Sequence, residues 1–337
     1  MRWGIIGAGE IAGRSVAPGL AKASGSQLYS VCGRNIATAQ AFSDKWHAAK
    51  AFDSLDEFLS DPSLDAVYIA TPNNMHAEQA IRAAQAKKHV LCEKPMATTV
   101  EDARRMIEEC KANGVNLGVV FQNRYHAAHV RTREVVASGT LGEIQFVSAQ
   151  LCRGFPRGRW EGWRNDPVAS GAGAIVAQSV HPIDLLRFLL DSEIVKVQGM
   201  SDIAPPQRPV EEIVFSTLQF ENGIHASVVA GQILPRYDNN IVIYGSKGKL
   251  VLKGTLGVPL NSRTGELTVE GTGSFDGVTE FPTTAVADKV AKLIEDFTTS
   301  VVEGEETPVS GGNGLQMVKI ANGLQESCLT GQTVAIR

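Results

Sequence analysis

Short apolar runs alternate with helical patterns over the first third of the chain. Five apolar runs are predicted as strands, at residues 3–7, 28–32, 66–70, 89–92 and 115–121. Between the last two of them, residues 100–113 carry apolar side chains at helical spacing and are followed by Gly114, a residue type that commonly ends helices. Strands separated by helices predict βαβ units and therefore a doubly wound parallel sheet.

After residue 122 the pattern changes to consecutive strands joined by short turns. The predicted helices lie at 126–138, 181–190, 286–302 and 313–329, and the predicted strands at 144–151, 195–201, 213–220, 224–231, 240–244 and 249–252. Segments 221–223 and 245–248 contain the glycine and polar residues of hairpin turns. These strands predict a second α/β domain with a mostly antiparallel sheet.

The composition is that of a globular protein with more than one core. The 337 residues are 43% hydrophobic and 20% charged, with a formal net charge of -4. This charge favours neither nucleic acid nor an anionic membrane as a partner, and the apolar runs are too short to span a bilayer. No signal peptide pattern occurs at the N terminus, so we expect a cytoplasmic enzyme.

Cysteine and histidine positions argue against a metal site. The five cysteines are spread along the chain with no Cys-x-x-Cys pair, which also argues against a disulfide framework. His126 and His129 share a predicted helix face, but two ligands do not make a metal site. We therefore expect no metal.

A glycine-rich segment follows the first predicted strand and opens a helix. The segment is Gly7-Ala8-Gly9-Glu10-Ile11-Ala12. The first glycine allows a tight turn, the second lets the backbone approach a pyrophosphate, and Ala12 keeps the helix close to the sheet. We therefore predict a dinucleotide-binding Rossmann domain over residues 1–121. Residues 122–337 are predicted to form a substrate-binding and oligomerisation domain, whose C-terminal helices can pack back on the first.

The end of the second strand bears on which nicotinamide cofactor is used. An acidic residue there would accept a hydrogen bond from the ribose 2′-hydroxyl of NAD, but the sequence reads Gly33-Arg34-Asn35. The Arg34 guanidinium could pair with a 2′-phosphate, so NADP is favoured over NAD. The alternative is a solvated surface arginine, with Asn35 as the N-cap of the next helix.

Several motifs occur in a set order through nearly the whole chain. They are Thr71-Pro72-Asn73-Asn74-Met75-His76, Cys92-Glu93-Lys94-Pro95, Trp163-Arg164, Gly171-Ala172-Gly173 and a segment that begins at His181-Pro182. In these motifs the chain resembles the glucose-fructose oxidoreductase, inositol dehydrogenase and rhizopine catabolism (Gfo/Idh/MocA) family. The resemblance implies a Rossmann domain joined to an α/β domain with a large, open, mostly antiparallel sheet. It also implies a homodimer or homotetramer formed through that sheet.

The resemblance assigns roles to residues as well. The lysine of the Glu-Lys-Pro motif is the central catalytic group, which maps to Lys94, and a histidine that begins a helix is its acid/base partner, which maps to His181. Residues expected to bind the cofactor are Gly7, Gly9, Glu10, Ile11, Ala12, Gly33, Arg34, Thr71, Pro72, Asn73, His76, Glu93, Lys94, Gln122, Trp163 and Arg164. Residues expected to contact a sugar or polyol substrate are Lys94, Tyr125, Trp163, Gln178 and His181.

Elementary chemistry supports Lys94 independently. Oxidation of an alcohol needs a group that takes the hydroxyl proton, and reduction of a ketone needs the same group to return it. A partly buried lysine beside a cationic nicotinamide would have a lowered pKa and could exchange a proton near neutral pH. Lys94 follows a parallel strand, at the edge where open α/β sheets bind ligands. The alternative is a surface lysine in a turn.

One position departs from the family pattern. The family has an aspartate four residues before the histidine, where this sequence has Ala177. Gln178 could stand in for the missing carboxylate, or Asp184 could orient His181. His181 could also be purely structural, as single histidines often are.

Three functions are compatible with these residues. The first is an NAD(P)-dependent dehydrogenase or reductase that acts on a sugar, polyol or keto-sugar. The second is a redox-neutral glycosidase that keeps NAD bound, oxidises a ring hydroxyl, eliminates the aglycone and reduces the product again. The third is a non-catalytic nucleotide-sensing protein of the same fold, which Ala177 favours and the intact Glu93-Lys94-Pro95 motif opposes.

Overall fold

The computed structural model describes residues 1–158, 160–203, 209–234, 239–256, 264–271, 275–282 and 284–337. The chain forms two compact units, each assembled from separate stretches of sequence. Residues Met1–Gln122 and Ala285–Val318 make the first unit, and Asn123–Thr284 and Lys319–Arg337 make the second. The boundary predicted at residue 121 placed residues 285–318 in the second domain and allowed its C-terminal helices to pack back on the first domain. In the structure, residues 285–318 lie in the first unit.

Strands and helices alternate in the first unit and are more segregated in the second. The strands are β1 (Arg2–Ile6), β2 (Gln27–Cys32), β3 (Lys50–Phe52), β4 (Ala66–Ile69), β5 (His89–Cys92), β6 (Leu117–Val119), β7 (Ile144–Cys152), β8 (Ile194–Ser201), β9 (Ile213–Phe220), β10 (His225–Gly231), β11 (Asn240–Gly245), β12 (Gly248–Lys253), β13 (Thr264–Glu270), β14 (Gly277–Pro282) and β15 (Val334–Ala335). The helices are α1 (Ala17–Leu20), α2 (Ile36–Trp46), α3 (Leu55–Leu59), α4 (His76–Gln85), α5 (Val100–Asn113), α6 (Ala127–Ala137), α7 (Pro167–Ser170), α8 (Val180–Leu190), α9 (Val286–Glu303) and α10 (Gly311–Thr330).

The first unit is built on a six-stranded parallel sheet. Its strand order is β3-β2-β1-β4-β5-β6, and every neighbouring pair is parallel. This is the doubly wound order of dinucleotide-binding folds, so the predicted fold class is confirmed here. Strand β3 was not predicted from the sequence, because three half-exposed or exposed residues are too few to show a strand pattern.

Both faces of this sheet are buried. Ile5 and Val67 are completely buried on neighbouring strands, and Trp3 packs against Phe297 of α9 with 5.4 Å between ring centroids. Gly118 of β6 leaves room for that helix, because a Cβ there would lie 2.8 Å from a Phe297 ring carbon. Helix α9 therefore covers part of this sheet, and two-sided burial explains why the strands are almost continuously apolar.

Polar residues cap the helices that follow the parallel strands. The Asn35 side chain accepts a hydrogen bond from Thr38 N at 2.9 Å at the start of α2, so the N-cap interpretation of Asn35 is confirmed. Thr99 caps α5 in the same way, and Gly114, with φ +68°, ends α5 at the predicted position. These caps satisfy backbone groups that the helices cannot pair themselves.

The second unit contains a nine-stranded sheet. Its order is β14-β13-β12-β11-β7-β10-β9-β8-β15, and all neighbours are antiparallel except β7 and β10. The predicted mostly antiparallel sheet is therefore confirmed. Strands β13, β14 and β15 were not predicted from the sequence. Strand β14 is exposed along nearly its whole length and β15 has only two residues, so neither carries an apolar pattern.

One face of the second sheet is covered and the other is open. Along β7, Val147, Ala149 and Leu151 are buried, while Phe146, directly before Val147, is exposed. Helix α8, which is buried nearly throughout, packs on β7. This alternation leaves every second side chain of the central strands on the open face.

Among the described residues, no helix has both the length and the apolar character that crossing a membrane requires.

Candidate functional site

The first glycine of the dinucleotide motif lies at the carboxyl edge of the parallel sheet. Gly7 has φ +104°, and its N–H donates to Cys32 O at 2.8 Å. A Cβ on Gly7 would lie 2.9 Å from Ala70 O, so only glycine fits between the ends of β1 and β4. A Cβ on Gly9, by contrast, would meet nothing within 4 Å, which leaves that backbone open to a ligand. Both glycines fit the approach of a pyrophosphate.

The residues after these glycines run from exposed to buried. Glu10 is exposed and pairs with Arg14 across 3.5 Å, Ile11 is half-buried, and Ala12 is completely buried. Ala12 thus packs inward, as a close helix–sheet approach requires. The part that these residues play in cofactor binding stays a prediction.

Two charged residues follow β2 and β3 at the same edge. Arg34 is exposed and makes no hydrogen bond or ion pair with another residue that the structure describes. Strand β3 pairs with β2 so that Phe52 lies opposite Cys32, and Gly33 N donates to Phe52 O at 2.9 Å. Asp53 therefore emerges beside the segment that carries Arg34. Asp53 was not predicted as a site residue, because the sequence pattern did not predict β3.

Glu93, in the Glu-Lys-Pro motif, is held by a buried tyrosine. Tyr68 on β4 is completely buried, and its hydroxyl donates to Glu93 Oε1 at 2.8 Å. Glu93 Oε2 accepts from Lys94 N at 3.3 Å. Burial raises the pKa of Glu93, while the charge of Lys94 and the Tyr68 hydrogen bond offset part of that rise. Burial and the adjacent Glu93 carboxylate raise the pKa of Tyr68 well above its usual value, so its hydroxyl stays protonated at neutral pH.

His76 links two loops at this edge. Its side chain is completely buried, with Nδ1 2.8 Å from Pro95 O and Nε2 3.0 Å from Thr71 O. Burial lowers the pKa of His76, and a neutral imidazole has one N–H, so it donates to one carbonyl at a time. His76 was predicted to bind the cofactor. Because its side chain is completely buried, any influence of His76 on cofactor binding would act through the loops that contain Thr71 and Pro95. Asn73, between these contacts, is also buried.

Lys94 lies in the loop after β5 and is half-buried. Glu93 N donates to Ile69 O at 3.0 Å, which extends the pairing of β4 and β5 to the residue before Lys94. The peptide bond between Lys94 and Pro95 is cis. The loop is therefore fixed on one side by β4 and on the other by His76.

Gln122, which follows β6, carries a buried acceptor. Its Oε1 atom has no hydrogen-bond partner among the residues that the structure describes. A buried group without a partner costs roughly 1–3 kcal/mol, which a ligand N–H at this atom would remove. The free acceptor and the open Gly9 backbone both fit a dinucleotide that carries an amide group, as a nicotinamide dinucleotide does.

In the second unit, His181 lies in a helical run that starts before α8. The sequence predicted that His181 begins its helix; instead, a π turn at Ile175–Ser179 leads directly into α8, and His181 is half-buried within the run. Glu211 Oε1 anchors the turn by accepting from Ile175 N at 2.8 Å. A Cβ on Gly173 would overlap the Glu211 carbonyl oxygen, so the Gly-Ala-Gly motif permits this close approach.

Asp184 belongs to a buried ion-pair network. Its carboxylate accepts from Arg124 Nε at 2.9 Å and Nη2 at 2.5 Å, and Arg187 Nη1 lies 3.5 Å away. Although burial lowers the pKa of Arg124, the Asp184 carboxylate outweighs burial and raises it. The Asp184 carboxylate is engaged with arginines, which argues against its orienting His181.

The other site residues predicted in the second unit are half-buried or buried. Gln178 is buried and accepts from Arg153 Nε at 3.1 Å. Trp163, Arg164 and Tyr125 are half-buried, and the Arg164 guanidinium lies 4.6 Å from the centre of the Trp163 ring. Their contacts with substrate or cofactor stay predictions. Within the described ranges, no group of three or more His, Cys, Asp or Glu side chains could hold a metal ion.

Both units match known proteins. Residues 1–121 match the model of an oxidoreductase family with an NAD-binding Rossmann fold, and residues 129–251 match the GFO/IDH/MocA C-terminal domain. The 1,5-anhydro-D-fructose reductase of Ensifer adhaerens is 32% identical over 74% of this chain and 75% of its own. The NADP(+) D-xylose 1-dehydrogenase of Haloarcula marismortui is 28% identical over 86% of this chain and 79% of its own. The WlbA dehydrogenase of Bordetella pertussis, solved with NADH and UDP-GlcNAcA, has a TM-score of 0.83 and 26% identity, covering 100% of this chain and 99% of its own.

Replacing Tyr68 with Phe removes one hydroxyl and keeps the ring. The Tyr68 hydrogen bond lowers the pKa of Glu93, so Glu93 should keep its proton to higher pH in the variant. The free energy of unfolding should fall by about 1.5–3 kcal/mol where Glu93 is ionised, and by less at acidic pH where it is protonated. Urea unfolding at a series of pH values measures the difference.

Tyr29→Phe is the matched control. The Tyr29 hydroxyl donates to Asp61 Oδ2 at 3.2 Å. Burial raises the pKa of Asp61, but hydrogen bonds from Lys50 and Ser63 N outweigh burial and lower it. Any pH dependence of Tyr29→Phe should therefore occur at lower pH than that of Tyr68→Phe. A loss in Tyr68→Phe that is the same at acidic and neutral pH would contradict the role of its hydroxyl.

Proposed function

Because the chain belongs to the GFO/IDH/MocA family of oxidoreductases, we propose that it moves a hydride between a nicotinamide dinucleotide and an alcohol or carbonyl carbon of a sugar, polyol or keto-sugar. The main support is the carboxyl edge of the first sheet, where an open glycine backbone, an unpaired buried acceptor and Lys94 follow β1, β6 and β5. The names of two relatives, a 1,5-anhydro-D-fructose reductase and a D-xylose 1-dehydrogenase, support a sugar-like substrate.

Lys94 is the proposed proton-transfer group. In the oxidation direction its neutral amine would take the hydroxyl proton of the substrate as the carbon–oxygen double bond forms, and a nicotinamide held at this edge would accept the hydride from the C–H bond. Fixing of the loop through Tyr68 and His76 supports this role, because proton transfer needs a donor and acceptor held within hydrogen-bond reach. The bound nicotinamide supplies the hydride acceptor or donor.

His181 is the proposed second member of the proton-transfer pair. It is half-buried, and its helical run is anchored at the Glu211 side chain, which supports a defined position. Gln178 lies three residues earlier in the same helical run. We assign Gln178 to substrate binding, where its amide supplies a neutral polar group next to Ala177.

We also propose that NADP is preferred over NAD. Arg34 is exposed at the end of β2, and a guanidinium without an ion-pair partner among the described residues can bind a 2′-phosphate through two N–H groups. One relative is named for NADP(+) and another was solved with NADH, so relatives differ in the cofactor that they bind.

The open face of the second sheet is the proposed surface for a second copy of this chain, in a homodimer or homotetramer. Met200, Phe215 and Val229 lie side by side on β8, β9 and β10, and Met200 and Phe215 are 74% and 49% exposed. Phe146 and Tyr244 stack on neighbouring strands with 6.1 Å between ring centroids, and both are exposed. Contiguous exposed apolar side chains of this kind mark interaction surfaces.

The proton-transfer assignment is tested by single and double variants. On the best substrate from a screen of sugars, polyols and keto-sugars, Lys94→Ala should lower kcat by about 10²–10⁴-fold, and His181→Ala should also lower it. The double variant should be little worse than the poorer single variant, because groups that act as a unit are non-additive. Nicotinamide absorbance measures turnover, and fluorescence quenching measures the cofactor affinity of each variant separately, so that a loss of kcat is distinguished from a loss of cofactor binding.

Two outcomes would change this assignment. Full activity in Lys94→Ala would remove its catalytic role. Losses that multiply in the double variant would mean that His181 acts separately, in substrate binding or in structure.

Cofactor preference is tested by charge reversal. Arg34→Asp should weaken NADP binding by roughly 2–4 kcal/mol and make NAD the tighter ligand, since an attraction is replaced by repulsion. Lys45→Asp, which also replaces a cation with an anion but near the far end of α2, should leave the order of the NADP and NAD affinities unchanged. Dissociation constants come from fluorescence titration, and equal wild-type affinities for the two cofactors would overturn the preference.

Assembly is tested by placing a charge on the open sheet face. Light scattering after size-exclusion chromatography should give the wild-type protein the mass of a dimer or tetramer. Phe215→Lys should have the mass of a monomer, because an interface would bury the ammonium group without a partner. Val302→Lys, at a 78% exposed position on α9, is the control and should keep the wild-type mass. A monomeric wild type at all concentrations would rule out this use of the face.

A further inference from the structure

We propose that Asp53 is a second determinant of cofactor selectivity, which opposes Arg34 by accepting a ribose 2′-hydroxyl and repelling a 2′-phosphate. The proposal rests on the nicotinamide cofactor proposed above and refines its selectivity. It implies that NAD remains a usable alternative to NADP, because the carboxyl edge of the first sheet presents both the Arg34 cation and the Asp53 anion.

Strand register places Asp53 beside the Arg34 segment. Strands β2 and β3 are parallel, with Cys32 opposite Phe52, and the Gly33 N–H continues the ladder by donating to Phe52 O at 2.9 Å. Neighbouring strands in a sheet are about 4.8 Å apart. Asp53, which follows Phe52, therefore leaves the sheet one strand away from the residue before Arg34.

Neither charge is neutralised by the described part of the chain. Asp53 is exposed, and like Arg34 it makes no hydrogen bond or ion pair with another described residue. Nearby Arg82 has its own acidic partners, Asp56 and Glu78. Asp53 and Arg34 are thus an unpaired anion and an unpaired cation at neighbouring strand ends.

The field of Asp53 reaches the end of β2. Burial, and after it the Asp53 charge, raise the pKa of the Cys32 thiol to about 11, with Arg82 acting in the opposite direction. Cys32 is the last residue of β2, directly before the Gly33-Arg34 segment. A ligand phosphate at this segment would feel the same negative charge.

The two cofactors differ in one group, so opposite charges select between them. A carboxylate accepts a hydrogen bond from a 2′-hydroxyl, as the acidic residue of NAD-binding Rossmann folds does, and repels a 2′-phosphate. At a separation of about 6 Å, this repulsion weakens phosphate binding roughly threefold at the dielectric of bulk water and roughly a hundredfold at the dielectric typical near a protein surface, and screening by salt brings an exposed pair to about five- to tenfold. Arg34 has the reverse effect on each ligand.

The test compares Asp53→Asn with wild type for NADP and NAD, using dissociation constants from fluorescence titration at low and high salt. The variant should bind NADP about five- to tenfold more tightly and NAD no more tightly, with the gain shrinking at high salt. The fragments 2′,5′-ADP and ADP, measured by calorimetry, should show the same change without the nicotinamide. Asp53→Glu keeps the charge and should keep the wild-type ratio.

Asp44→Asn is the matched control for net charge. Asp44 is exposed on α2, about 13 Å along the helix axis from Asn35, and accepts from Gln40 at 2.7 Å. Asp44→Asn should leave the ratio of the dissociation constants for NADP and NAD unchanged. An unchanged ratio in Asp53→Asn, or equal changes in Asp44→Asn and Asp53→Asn, would overturn the role of Asp53. Absence of binding of either dinucleotide to wild type would instead overturn the proposed function.

Discussion

All six strands of the first sheet run in one direction, and the geometry of the candidate site depends on this constraint. Loops that follow parallel strands leave from the same edge, so residues far apart in sequence gather there. Gly7, Arg34, Asp53 and Lys94 each follow a different strand of this sheet. The order 3-2-1-4-5-6 then decides which loops are neighbours, and it places the ends of β2 and β3 side by side.

Pairing of buried polar groups fixes those loops in place. Glu93 is half-buried directly after β5, and an ionised carboxylate there needs donors, which Tyr68 and the Lys94 N–H supply. His76 contributes in the same way, because both of its ring nitrogens face loop carbonyls. Through these contacts Tyr68 and His76 hold the loop that carries Lys94, although both side chains are completely buried.

The second unit follows a different rule, because its sheet is covered on one face only. Helix α8 buries alternate side chains of β7, and the approach of Gly173 to Glu211 sets where the helical run with His181 begins. The open face keeps exposed aromatic and aliphatic side chains such as Phe146 and Phe215. These exposed apolar side chains support the proposed contact with a second copy of this chain.

The sequence by itself determined the alternation of strands and helices, the parallel and antiparallel character of the two sheets, and the glycine and Glu-Lys-Pro motifs. These features depend on neighbours in the chain, through side-chain periodicity and turn chemistry. Strand β3, the exposed β14 and the π turn before α8 carry no such local signal.

Only the tertiary structure decided the partners of buried groups. Tyr68 is separated from Glu93 by 25 residues, and Arg124 from Asp184 by 60, so spacing could not reveal either pair. Asp184 had been a candidate to orient His181, yet burial next to two arginines engages its carboxylate elsewhere. The proposed role of Asp53 also depends on tertiary structure, because strand register is a property of the assembled sheet and is set by backbone hydrogen bonds between segments distant in the chain.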